Sequence, residues 1–257
     1  EIYTLSLHDA LPIWFSRYRR YGFTLIELML AMAFVSVLLL AIATIAIQAG
    51  KLYNRGLTLK SINQSGREIS DSLRRDFLQA NAGKISGNAN SAVVMVQAGG
   101  ADRSGRLCLG DYSYVWNVPK VVSGEVKSGV GIITEVGGPH SGRPINFARV
   151  IDPDGMLCQK NETTGAYMST VATDKVTHLL KPAGSNDVVL AIHHMKAARV
   201  AGDSGADSLY RLEFVLGTSQ LEAVNTANGT CKPPADNSEN LDFCAINSFE
   251  MIVRTNG

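Results

Sequence analysis

The sequence predicts an α+β protein in which a long N-terminal α-helix, apolar in its first half and amphipathic in its second, packs on a mainly antiparallel β-sheet head. Three observations predict it. No ionisable residue occurs from Leu28 to Gly50, and a helix of that length reaches about 35 Å, enough for a bilayer core of about 30 Å. Beyond it, Leu52, Leu59, Ile62, Ile69, Leu73 and Phe77 recur at spacings of three, four and seven, one apolar stripe along a helix. After residue 83 that period gives way to β-branched and aromatic runs separated by Gly, Pro, Asn, Asp and Ser clusters, the pattern of strands and turns.

In chain order, the first residues stand apart. EIYTLSLHDALPI resembles the translation of a sequencing-library adapter, so residues 1–14 are set aside as an artefact, as a fusion scar would be, and the true start codon is expected to be missing. Residues 15–22 then form a leader, 23–50 a transmembrane segment, 51–82 the amphipathic continuation of the helix and 83–257 the head. In the continuation, Lys60, Arg67, Glu68, Asp71, Arg74, Arg75 and Asp76 lie between the stripe positions and are expected to face solvent or neighbouring chains. Gly56 and Gly66 fall near the stripe, where each permits either close packing or a bend. NAGK places the helix end near Ala82.

The extended runs are SAVVMVQAG, LCLGDYSYVWNV, GVGIITEVG, NDVVLAIHHM, SLYRLEFVLGT and SFEMIVRT. In SLYRLEFVL, Tyr210, Leu212, Phe214 and Leu216 alternate with Arg211, Glu213 and Val215, a sheet with one buried face. RVAGDSGADSLY reads as the connection of a long hairpin between strands ending near Arg199 and starting near Leu209.

The formal charge of +1 without a basic stripe does not indicate nucleic acid as a partner. Cys108, Cys158, Cys231 and Cys244 form an even set with no CxxC and no Cys/His cluster, which favours disulfides over zinc and places the C-terminal part outside the cytoplasm. Arg17, Arg19 and Arg20 precede the apolar segment and Lys51, Arg55, Lys60 and Arg67 follow it, so flanking charge alone does not orient it. His193 and His194 are adjacent, point to opposite faces of a strand and are read as structural or exposed. Asp152, Asp154 and Gly155 in DPDG read as a turn, since the remaining ligands of a calcium loop are absent. Asp203 and Asp207 read as a solvated loop, and GVGIITEVGG lacks the lysine and strand-turn-helix setting of a nucleotide site. No catalytic group, metal site or cofactor is indicated.

An arginine-bearing leader, then Gly22, Phe23, Thr24, Leu25, Ile26 and Glu27, then an uncharged run: this order resembles the processing signal of type IV prepilins and type II secretion pseudopilins. The motif covers about residues 17–50, and the helix-then-sheet plan extends the resemblance more loosely. The resemblance implies a pilin-like fold, cleavage after Gly22 by the prepilin peptidase, N-methylation of Phe23, and an assembly salt bridge made by Glu27. It also implies the partners: the bilayer before assembly, an inner-membrane assembly platform, and other pilins or pseudopilins through the N-terminal helix. The location implied is a single-pass inner-membrane protein with its head outside the cytoplasm, then a pilus or pseudopilus.

SDSLRRDFLQA, YRLEFVLGT and the terminal SFEMIVRTNG resemble the large minor pilins or pseudopilins of the J and W types, which implies a structural subunit, not an enzyme, that initiates, caps or decorates a filament. TCKPPADNSENLDFC resembles the C-terminal disulfide staple of many pilins. That resemblance pairs Cys231 with Cys244 and leaves Cys108 with Cys158, among the three pairings open to four cysteines. Two other readings of the N-terminus stay open: a secretory signal cut at the Ala41, Ile42, Ala43 site, and an uncleaved anchor. For the head, an adhesive or DNA-capturing domain and a tethered enzyme are the alternatives, and any DNA or host-surface ligand is left open.

Overall fold

The computed structural model describes residues 22–87, 91–181, 188–200, 208–220, 224–225, 230–232 and 244–255. The chain divides into two units, the first ending at Gln48 and the second comprising Ala49–Gly257. Helix α1 spans Leu25–Gln79. In the first unit every described residue from Gly22 to Gln48 is exposed, and the helix holds a window of mean hydropathy 2.7, long and apolar enough to cross a membrane. An apolar surface of this extent calls for a non-aqueous environment or other helices.

In the second unit α1 ends at Gln79, three residues before the expected Ala82. The cause is Asn81, whose extended backbone stops the helix and whose side chain accepts a bond from Gly83 N–H at 2.8 Å, starting a separate single turn. The sheets are mainly antiparallel, as the alternating runs predict. Strands β1 (Val93–Ala98), β2 (Ala101–Cys108), β3 (Tyr112–Asn117), β5 (Phe147–Ile151) and β7 (Val176–Leu180) form one sheet in the order β1-β2-β3-β5-β7. Strands β8 (Leu190–Arg199), β9 (Leu209–Thr218) and β12 (Ile246–Arg254) form a second in the order β12-β9-β8. The pairing of β8 with β9 is the predicted long hairpin; Asp203 and Asp207 lie outside the described residues. Strands β10 (Val224–Asn225) and β11 (Thr230–Cys231) form a short pair. Ala92 N–H donates to Ala197 O at 2.8 Å, tying the entry of β1 to β8.

Two of the extended runs behave differently from a continuous strand. LCLGDYSYVWNV breaks at Gly110, whose φ of 104° turns β2 into β3. GVGIITEVG gives only β4 (Thr134–Val136), because Gly129 and Gly131 have left-handed backbones, and β4 pairs in parallel with β6 (Thr170–Ala172). Strands β2, β5, β6 and β7 carry polar or short apolar stretches that period counting passes over.

The main core lies where the stripe of α1 meets both sheets. Ile62, Ile69, Leu73 and Phe77 are fully buried with Leu107, Tyr114, Trp116, Phe147, Leu212 and Phe214; each such side chain contributes about 1.5–3 kcal/mol by leaving water. Leu52 does not take part: it is 72% exposed, and the buried positions of α1 begin at Thr58. The opposite face of the five-stranded sheet, including Cys108, Val115, Ala148 and Val150, is covered by Ile133, Ile145, Leu157 and Val171 in a second core. Asn117 pins this layer: Nδ2 donates to Ile133 O (2.7 Å) and Ile145 O (2.9 Å), and Oδ1 accepts from Ile133 N–H (2.8 Å).

The two helix glycines separate clearly. A Cβ on Gly56 would meet nothing within 4 Å, whereas one on Gly66 would lie 2.1 Å from Cζ of Phe249. Phe249 in turn stacks on Phe214 with ring centroids 5.0 Å apart. Gly66 is therefore a packing glycine. Gly66→Ala is expected to destabilise by about 1–3 kcal/mol through overpacking, more than its gain in helix propensity of about 1 kcal/mol returns; Gly56→Ala is expected to stabilise slightly. Denaturant unfolding of both variants checks this, and equal behaviour would contradict the packing role.

Candidate functional site

The N-terminal motif is built on the first turn of α1. Thr24 precedes the helix, and its carbonyl accepts the first helical bond, from Leu28 N–H at 3.2 Å. Its side chain and that of Glu27 cap the turn reciprocally. Thr24 Oγ1 accepts from Glu27 N–H (3.3 Å), while Glu27 Oε2 accepts from Thr24 N–H (3.0 Å) and Thr24 Oγ1–H (2.9 Å). This is a capping box, in which a threonine and a glutamate three residues later each satisfy a backbone donor that the helix start leaves free. Glu27 thus has a local task in addition to the one implied by resemblance, and the T-x-x-E spacing in TLIE was the signal for it. Gly22, with no neighbour within 4 Å of a would-be Cβ, and Phe23, 83% exposed, stand before the helix in non-helical backbone.

The cysteines are joined in two bonds. Cys108 at the end of β2 is bonded to Cys158, sequence separation 50, and Cys231 in β11 to Cys244, separation 13. By restricting the unfolded chain, loops of these sizes are worth about 4 and 3 kcal/mol respectively. The first bond fastens the covering layer to the five-stranded sheet.

A buried polar cluster that the sequence does not announce anchors α1. Asp76, expected to face solvent, is 3% exposed. Its Oδ2 accepts from Arg149 Nε (2.5 Å) and Tyr114 Oη (2.7 Å), and its Oδ1 from Arg149 Nη2 (2.9 Å). Tyr114 Oη also lies 3.1 Å from Ser72 Oγ, and the Arg149 guanidinium sits 3.4 Å above the ring of Tyr112. Burial drives the Tyr114 hydroxyl well above its ordinary range, and the bonds that Arg149 donates to Asp76 hold the guanidinium in its charged form. The available signal was position: Ser72, Leu73, Asp76 and Phe77 share one helix face.

Elsewhere, Glu135 is 2% exposed and receives His178 Nε2 at 2.9 Å, with the His140 ring edge-on to His178 at 5.7 Å. Burial pushes the Glu135 carboxyl up, but the bonds from Thr173 and His178 and the nearby histidines outweigh it and leave it below the usual range. His193 is half-buried with Nε2 2.8 Å from Thr218 O, and His194 is exposed. Asp152 forms a turn: its carboxylate accepts from Ser113 Oγ (2.7 Å), Met156 N–H (3.0 Å) and Leu157 N–H (3.1 Å). Among the described residues no group of three or more His, Cys, Asp and Glu side chains is arranged to hold a metal.

Residues 17–45 match the family model of the prokaryotic N-terminal methylation motif. No curated protein and no solved structure matches the chain.

Proposed function

We propose that this chain is a minor pilin or pseudopilin, a structural subunit that joins a type IV pilus-like filament after its leader is removed. The observation that carries the reading is the N-terminal motif: Gly22 and Phe23 in open backbone, a capped helix start with Glu27 in its first turn, and an uncharged helix behind it. The match of residues 17–45 supports it. In this reading the apolar surface of the first unit sits in the bilayer before assembly and against the helices of other pilins or pseudopilins afterwards. The prepilin peptidase and the inner-membrane assembly platform are the partners on the way, and the head lies outside the cytoplasm, where the two disulfides form. A head comprising most of 257 residues is large for the bulk subunit of a filament, which supports the minor role: initiating, capping or decorating rather than filling the shaft. The role is structural, not catalytic.

The mature N-terminus is expected to be N-methylated Phe23. Mass spectrometry of the protein recovered from membranes and from sheared filaments tests this. A start at Thr44, after the Ala41–Ala43 site, would assign an ordinary secretory signal, and an intact leader on filament protein would overturn the proposal.

A further inference from the structure

We propose that Arg106 is the base of a binding site for a carboxylate, closed by the ring of Tyr167. Arg106 lies in β2, in register with Val94 of β1 on one side and Val115 of β3 on the other. It is 0% exposed and among the largest fully buried side chains of the chain. Nη1 donates to Leu157 O at 2.6 Å, but Nε and Nη2 are buried without a partner among the described residues. These two nitrogens form one edge of the guanidinium, the edge that grips a carboxylate side-on with two parallel bonds. The same chain shows that edge in use, since Arg149 holds both oxygens of Asp76 through Nε and Nη2. Arg106 therefore carries the same fork, and no described residue supplies its acceptor.

Burial lowers Arg106 to about 10, so it remains a cation at neutral pH. A buried cation without a counter-ion is unfavourable, and stability alone would be served equally well by an apolar side chain of similar volume. A planar anion that accepts both N–H groups removes the deficit, which gives it a reason to bind.

The way in lies on the loop from Lys160 to Tyr167. The guanidinium carbon of Arg106 is 4.9 Å from the centre of the Tyr167 ring, and Lys160 Nζ is 5.6 Å from the same centre. Residues 159–166 are exposed, and the loop closes on itself through a bridge between Lys160 and Tyr167 and the bond from Asn161 N–H to Ala166 O. Tyr167 lies over the guanidinium, so displacing it opens that face of Arg106 to the exposed loop, and exposed Lys160 draws an anion toward it.

The test is titration of the full chain in detergent micelles with formate, the smallest carboxylate, against chloride at matched ionic strength. The Arg106 Nε–H resonance, assigned by its loss in Arg106→Lys, is expected to shift saturably. The midpoint of thermal unfolding should rise by about 3–6 °C at a tenfold excess over Kd. Arg106→Met is expected to be at least as stable as the parent without formate and not to respond to it. An Nε–H resonance that stays in place throughout the titration overturns the proposal, whether or not the variant folds. So does an equal thermal response in Arg106→Met, and a response to inorganic phosphate but not formate overturns the assignment to a carboxylate.

Discussion

Asp76→Ala is expected to lower the unfolding free energy by about 3 kcal/mol. Removing one partner of a buried ion pair costs about 3–5 kcal/mol because the other charge is left without compensation. The lower end applies because the Arg149 side chain keeps 24% exposure and can turn toward water. Part of the loss comes from Tyr114, whose hydroxyl would keep, among the described residues, Ser72 Oγ at 3.1 Å as its side-chain partner. Arg149→Met should cost at least as much, since it strands Asp76, whose side chain is 2% exposed. Replacing both, Asp76→Leu with Arg149→Met, should cost clearly less than the sum, because no charge is then left buried alone. Denaturant unfolding of the full chain in micelles measures all three. Strict additivity would mean that the two residues act separately and that the pair does not anchor the helix.

Under the proposed function, Glu27→Val should leave membrane insertion and cleavage largely intact, yet reduce incorporation into filaments by roughly an order of magnitude or more. Cleavage after Gly22 creates an α-amino group at Phe23 with an ordinary pKa of about 8, a cation at the helix start. Glu27 lies four residues further along the same helix, so it can meet its own terminus in the membrane or that of an adjacent subunit in a filament. In the proposed filament the trans contact would set axial register, and valine could not make it. Valine also abolishes the acceptor for Thr24 N–H and Oγ1–H, so a second variant separates the two tasks. Glu27→Gln keeps an acceptor for the cap and loses the charge. If incorporation follows charge, both variants fail. If it follows the cap, glutamine behaves like the parent and valine does not. Processed protein counted in membranes and in sheared filaments gives the answer. Parent-like incorporation of Glu27→Val would remove the register role, and a subunit at the tip, with none ahead of it, would show a weaker effect.

The α+β plan was legible because it rests on periodicity, which one sequence displays in full. The stripe ending at Phe77 and the alternation in β9 follow from which faces must leave water. What stayed hidden is set by partners distant in sequence. Asp76 looks like any surface carboxylate until Arg149 and Tyr114 are placed beside it. Gly66 could have been a bend or a contact until Phe249 arrived over it. Strand β2, ADRSGRLC, has no apolar run to announce it; it is a strand because β1 and β3 flank it on both edges. The capping box is local and visible in TLIE, whereas a carboxylate in an apolar run also points to a distant partner.

The contact between α1 and β12 has a consequence in time. Asn63 Oδ1 accepts from Asn247 Nδ2, and Phe249 lies over Gly66, across a separation of 184 residues for the asparagine pair. At about 5–20 residues per second of synthesis, roughly 10–40 s pass between the appearance of one partner and the other. During that interval the C-terminal half of the helix has no β12 to cover it, and contacts this far apart in sequence are slow to form even once both exist. The nascent head is thus a client for whatever shields apolar surface as it is made, and a chain that stops short of β12 would meet proteases with that helix face uncovered.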